Sequence, residues 1–211
     1  MNPPIGTITP ARRVAGLLLA AGGGRRLGGR AKALLSAGGR PLVERAAEAL
    51  RAAGCDPVHV VLGADLEEVY ARTRLDGCRV VAHRDWAQGM GSSLRAGLDS
   101  LAGTDAAAVV VLLVDQPGIG ARAVARLVTH CGRDGTELAA AAYGGERGHP
   151  VLLGRRHWAG VADSARGDRG ARAYLREHTG ELTLVECGDV ADPADIDTPA
   201  DLRLLDRDYG G

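Results

Sequence analysis

Three stretches of this chain are apolar almost without interruption: Val14 to Ala20 (VAGLLLA), Val58 to Leu62 (VHVVL) and Ala107 to Val114 (AAVVVLLV). A strand with one wet face alternates apolar and polar residues, whereas a strand covered on both faces reads as a continuous run. Segments with helical spacing separate the runs, such as Leu42, Val43, Ala46, Ala47 and Leu50 after Pro41, ending near Gly54. Strand–helix alternation of this kind builds a parallel sheet with helices on both faces. The chain is therefore expected to be α/β: one Rossmann-like, three-layer α/β/α domain with a mostly parallel sheet.

The remaining elements rest on the same patterns. Asp65 is placed to cap a helix through about Arg74, and Arg79 to Ala82 is a short strand. Ser92 or Ser93 is expected to cap a helix carrying Leu94, Leu98 and Leu101, and a further helix runs from Ala121 to Cys131. Leu138 to Tyr143 is a strand, followed by the break GGERGHP and a short strand from Val151 to Leu153. Helices over 155–165 and 170–178, a strand at Leu182 to Glu186 and a terminal helix from Pro199 to Leu205 complete the chain. Residues 1–13, with three prolines, read as a flexible leader, leaving 14–211 as the domain.

The most informative stretch comes directly after the first apolar run. Gly22, Gly23 and Gly24 succeed Ala20 and Ala21, then come Arg25, Arg26, Gly28, Gly29 and Lys32. Glycine lets the backbone approach a ligand closely, and successive inward N–H groups make a concavity for anions. Nearby cations would add full charges, so a polyphosphate suits this loop, although a plain solvated surface loop has the same composition. Two familiar phosphate loops fail. In G-x-x-x-x-G-K-[ST], Gly29 stands where the lysine belongs, and in G-x-G-x-x-G, Leu27 stands at the third glycine.

In open α/β sheets ligands bind beyond the strand C-termini, and both this loop and Asp115 sit there. Asp115 ends the longest apolar run and precedes Gln116-Pro117, so it is either a cap or a ligand for a hard cation such as Mg²⁺. Asp195-Ile196-Asp197-Thr198-Pro199 is a second acidic element, readable as a helix start or as a ligand.

Composition narrows the partners. The 26 acidic and 26 basic residues balance, which argues against nucleic acid or an anionic membrane as a bulk partner. Four scattered cysteines form no C-x-x-C pair, and no apolar run reaches 18 residues, so a cytoplasmic protein is expected.

The loop resembles the opening motif of a nucleotidyltransferase family, L-A-A-G-x-S-x-R-M-G-x-x-x-K. Leu19, Ala20, Ala21, Gly22, Arg26, Gly28 and Lys32 fall in register, while Gly24 replaces serine and Leu27 methionine. The chain is similar to the MocA-like cytidylyltransferases of the molybdenum cofactor and to the wider MobA-like family. Asp115-Gln116-Pro117, DIDTPADL, GMGSSL, GHPVLL and GDRGAR recur in that family, and with the loop the resemblance spans Val14 to about Leu205.

The resemblance implies a nucleotide-diphospho-sugar transferase type of fold and Mg²⁺ on Asp115 and Asp197. It implies nucleotide contacts from Leu19, Ala20, Ala21, Gly22, Gly23, Gly24, Arg26, Lys32, Gly63, Ser92 and Ser93, and acceptor contacts from Gln116 and His149. Arg26, Lys32 and Asp115 would carry catalysis. The Ala20-Ala21-Gly22 stretch implies CTP, and the acceptor would be a phosphorylated pterin, molybdopterin, with a molybdoenzyme maturation partner downstream. Two alternatives stay open: a sister enzyme using GTP or UTP with a sugar 1-phosphate or similar acceptor, and a non-catalytic nucleotide-binding module. A dinucleotide-dependent oxidoreductase is disfavoured, because the third glycine is missing and no acidic residue ends the second strand, where Leu62 and Gly63 stand.

Overall fold

The computed structural model describes residues 13–132, 135–207 and 209. Nearly all of the leader expected at 1–13 lies outside the described residues; only Arg13 is inside them.

The chain runs β1 (Val14–Ala20), β2 (Ser36–Ala37), β3 (Arg40–Pro41), α1 (Leu42–Ala52), β4 (Val58–Leu62), α2 (Leu66–Arg72) and β5 (Cys78–Ala82). It continues through α3 (Met90–Leu101), β6 (Ala108–Leu113), α4 (Ala121–Val128), β7 (Leu138–Tyr143) and β8 (Glu146–Gly154). Then come α5 (Trp158–Ser164), α6 (Arg172–Glu177), β9 (Leu182–Glu186) and a terminal 3₁₀ segment, Pro199–Asp206.

Seven strands form one sheet in the order β5-β4-β1-β6-β8-β7-β9, and β2 with β3 makes a separate small ribbon. The three continuous runs are its centre: β1 pairs parallel with β4 on one side and β6 on the other. All residues of β1, β4 and β6 are buried, as strands covered on both faces must be. Leu18 packs with Val43, Leu50, Val124 and Leu127 under α1 and α4. Its neighbour Leu17 points the other way, to Leu94, Leu98 and Leu101 of α3 and to Trp158 and Val161 of α5. Successive residues thus serve opposite cores, and the fold has the expected three layers, a helix layer on each face of a mostly parallel sheet.

The stretch GGERGHP departs from expectation. It is not a break before a short strand: Gly144-Gly145 is a two-residue turn, and β8 begins at Glu146 and runs nine residues. β8 lies antiparallel between β6 and β7, pairing Val111 with Val151. Sequence periodicity misses it because Arg147, Gly148 and His149 lie past the last residue pair with β6, at its C-terminal end, and are exposed or only partly covered. Asp65 occupies its expected position before α2 but makes no side-chain cap; its backbone is left-handed, with φ of 52°. Among the described residues no helix is long and apolar enough to cross a membrane.

Candidate functional site

The glycine loop leaves β1 at its C-terminal end, turns through Arg25–Leu27 as a short 3₁₀ segment, and returns through Lys32–Leu34. Gly24 sets that turn. Its φ of 55° is left-handed, and a Cβ there would collide with the Arg30 carbonyl. The Gly24 carbonyl accepts from the Leu27 and Gly29 amides at 2.7 and 3.1 Å. Among the described residues the amides of Gly22, Gly23 and Gly24 make no hydrogen bond within the chain. Three unpaired donors on one loop are a ready site for phosphate oxygens.

Beside that loop, Asp115 stands two residues past β6. The backbone amide of Ile196 donates to the Asp115 carbonyl at 2.9 Å, tying the DIDTP segment to this strand end. Capping and ligation separate cleanly within that segment. Asp201 accepts from the Thr198 amide at 2.8 Å and from its hydroxyl at 2.7 Å, so the terminal segment is held without Asp197. The Asp197 carboxylate is free to face the loop, where Lys32 Nζ lies 2.6 Å from its Oδ1 and 2.7 Å from Asp115 Oδ2. Burial pulls the Lys32 pKa down, but the charges of Asp115 and Asp197, and hydrogen bonds to both, outweigh it and raise it. Arg26 approaches Asp197 more loosely, at 3.7 Å, and is largely exposed.

Asp195 faces elsewhere. Its Oδ1 accepts from Gln116 Nε2 at 2.7 Å, and burial, reinforced by the Asp115 charge, pushes its pKa up. Two cavities share the site. The larger, about 530 Å³, is lined by Leu19, Ala21 and Gly22–Gly24, by Arg25, Arg26 and Lys32, and by Ser93, Asp115 and Asp197. The smaller, about 270 Å³, is lined by Gln116, Asp195, His149 and the arginines 147, 169 and 172. Leu19, Met90, Leu113 and Arg172 line both, so the cavities adjoin.

Not every sequence candidate reaches a cavity. Ala20 points into the α1/α4 core. Ser92 and Ser93 do not cap α3; the helix starts earlier, at Met90, because Gly89 makes the turn. Ser92 is spent internally, its hydroxyl donating to the Gly89 carbonyl at 2.8 Å and meeting His83 Nε2 at 2.8 Å, while Ser93 faces the larger cavity. Gly63 lies beneath Trp86, whose Cβ would sit 2.5 Å from any Cβ at that position. Trp86 then runs along Gly23 to the larger cavity. Sequence reasoning named neither Trp86 nor Arg172 as a site residue, although HRDW and GDRGAR contain them; no periodicity marks a lone aromatic or cation in a loop.

The fold is that of the nucleotidyltransferase class of α/β proteins. A family model described as the MobA-like NTP transferase domain matches residues 16–182, and the chain belongs to that family. A curated relative, the nicotine blue oxidoreductase of Paenarthrobacter nicotinovorans, is 44% identical over 206 residues, covering 91% of this chain and 96% of its own. Rv0371c of Mycobacterium tuberculosis, solved in complex with manganese, is 27% identical with a TM-score of 0.75, covering 92% of this chain and 97% of its own. A nucleotidyl transferase from Methanothermobacter shares the fold, with a TM-score of 0.77 at 23% identity over 92% of this chain and 97% of its own.

Proposed function

We propose that the protein is a Mg²⁺-dependent cytidylyltransferase that moves CMP from CTP to the phosphate of molybdopterin in the cytoplasm and releases pyrophosphate. The observation that carries the reading is the meeting of Lys32, Asp115 and Asp197 beside three unpaired glycine amides. The carboxylates fit a divalent cation: both reach one ammonium within 2.7 Å, so their oxygens converge on a single point, and they are the hard donors Mg²⁺ prefers. The solved relative holding manganese supports the same choice. A bound Mg²⁺ would supply Lewis-acid neutralisation of phosphate charge.

In the proposed reaction an acceptor phosphate oxygen bonds to the α-phosphorus of CTP while the bond to the β-phosphate oxygen breaks. Pyrophosphate departs with that electron pair. The acceptor phosphate is already ionised near neutral pH, so the chain needs no general base. Lys32 and Arg26 offset charge on the triphosphate and the leaving pyrophosphate, and the Gly22–Gly24 amides hold them in place.

A second reading, oxidoreduction, is favoured by the name of the Paenarthrobacter relative, nicotine blue oxidoreductase. One experiment separates the two. Pyrophosphate release is measured with CTP, GTP, UTP and ATP, each with and without molybdopterin, and NAD(P)H oxidation is followed with nicotine blue. Release with CTP only when the pterin is present supports the transferase. NADH or NADPH oxidation without any NTP binding would replace it with the oxidoreductase.

A further inference from the structure

A third cavity, of about 350 Å³, opens between α1 and the start of α4. Leu42 and Ala49 of α1, Val114 and Pro117 after β6, and Ile119 with Val190 give it apolar walls. The glycine loop and Lys32 do not line it. Val114 and Gln116 do, and they flank Asp115, so an occupant would touch the strand end that carries that carboxylate.

Two buried donors here have nothing to donate to. Among the described residues, Arg45 Nε on α1 has no hydrogen-bond partner, and neither has the Tyr209 hydroxyl. The Tyr209 ring lies against Gly118, where a Cβ would stand 2.8 Å from its Cε1, so the ring is packed in place. Arg207 stands beside the hydroxyl but is bonded to Asp192 at 2.8 Å, and a guanidinium can only donate to a phenol. The Tyr209 proton is thus left without an acceptor. A buried donor in that state costs free energy that a ligand's oxygen would recover.

The charge around the cavity is of one sign. Arg40, Arg45 and Arg122 line it, and their guanidinium groups make no hydrogen bond or ion pair among the described residues. Glu48 is the one acidic residue of the lining, and it faces Arg51 at 3.5 Å. Asp189, which feels the charge of Arg122, is held by both terminal nitrogens of Arg126 at 2.5 and 2.6 Å. Unmatched cations over apolar walls suit an anion that brings its own apolar surface. Arg45 narrows the choice: Nε–H and one terminal N–H form a planar fork that matches the two oxygens of a carboxylate.

We propose that this cavity binds a small organic carboxylate with an apolar body, gripped side-on by Arg45 and by the Tyr209 hydroxyl. The proposal stands apart from the nucleotidyltransferase reading, because the cavity shares neither the glycine loop nor the two carboxylates that carry it.

The test titrates the full-length protein calorimetrically with 2-naphthoate and with 2-naphthamide, which keeps the ring and loses the charge. The wild-type protein is expected to bind the naphthoate about tenfold more tightly, the worth of a charged hydrogen-bonded pair. Arg45→Met keeps an apolar stem and should bring the naphthoate down to the affinity of the naphthamide. Tyr209→Phe removes one oxygen and should weaken the naphthoate about threefold. Arg172→Ala, in the smaller cavity, should leave naphthoate binding unchanged. Equal binding of the two probes by the wild-type protein overturns the proposal, and so does an Arg45→Met protein that keeps the wild-type preference. Naphthoate binding lost in Arg172→Ala overturns it too, by placing the anion in the smaller cavity. If circular dichroism shows Arg45→Met to be unfolded, Tyr209→Phe decides, and unchanged naphthoate affinity there refutes the site.

Discussion

Lys32 and Asp197 lie 165 positions apart in the chain, yet Nζ and Oδ1 meet at 2.6 Å, with Asp115 Oδ2 2.7 Å from the same ammonium. On the proposed reading, a lysine and a divalent cation would compete for one pair of carboxylates. On that reading Lys32 moves to the triphosphate when nucleotide and metal arrive together. Lys32→Met should then raise Mn²⁺ affinity in the absence of nucleotide, since two carboxylates lose their partner, and lower CTP affinity about tenfold or more. Electron paramagnetic resonance of free Mn²⁺ and calorimetry with CTP read the two effects. Unchanged Mn²⁺ affinity would refute the competition.

Thr198 and Asp201 hold Asp197 in position. Asp201→Ala removes the acceptor for the Thr198 amide and hydroxyl, and should cost about 1 kcal/mol of stability, the usual worth of a helix-start cap. Urea unfolding gives the stability, and Mn²⁺ binding reports whether Asp197 has lost its place. Full stability with normal Mn²⁺ binding would show the cap to be dispensable.

His149 should impose a pH dependence on stability. Its folded pKa is depressed to about 4 against an ordinary 6.5, so between those values the unfolded chain binds more protons than the folded one. Stability is therefore complete above pH 6.5 and falls as pH drops toward 4. The loss is on the order of 3 kcal/mol. The urea midpoint of His149→Phe should decline less than that of the wild-type protein from pH 7 to 4.5; parallel declines would remove His149 as the source.

Gly24 is the position where the family motif has serine. Its left-handed backbone and the Arg30 carbonyl beside it leave no room for a Cβ. Gly24→Ser should thus destabilise the loop by about 1–2 kcal/mol and weaken CTP binding rather than add a useful hydroxyl. A melting temperature equal to the wild-type value would show that the turn tolerates a side chain.

Much of this architecture is legible in the chain because burial on both faces leaves an uninterrupted mark. β1, β4 and β6 announce themselves as continuous runs, and the glycine loop comes after the first of them. What is hidden depends on tertiary fit. β8 escapes periodicity because its first residues, Glu146 to His149, are exposed or only partly covered, with Arg147, Gly148 and His149 lining the smaller cavity, and its second half reads as an isolated short strand. Gly63 looks like a ligand contact, but its bare Cα seats Trp86. Ser92 looks like a helix cap, yet its hydroxyl closes the Gly89 turn against His83. Arg172 lies at the junction of short helical pieces, where no spacing rule separates a ligand-facing cation from a solvated one.

On the proposed reading, the glycine loop, Asp115 and Asp197 form one site for a metal–nucleotide complex. Calorimetric titration of CTP into wild-type and Asp115→Asn protein, with and without Mg²⁺, tests it most directly. Mg²⁺-dependent binding is expected for the wild-type protein, with at least about a tenfold loss in Asp115→Asn, whose circular dichroism stays native. Equal CTP binding by both proteins, or binding indifferent to Mg²⁺, would contradict it.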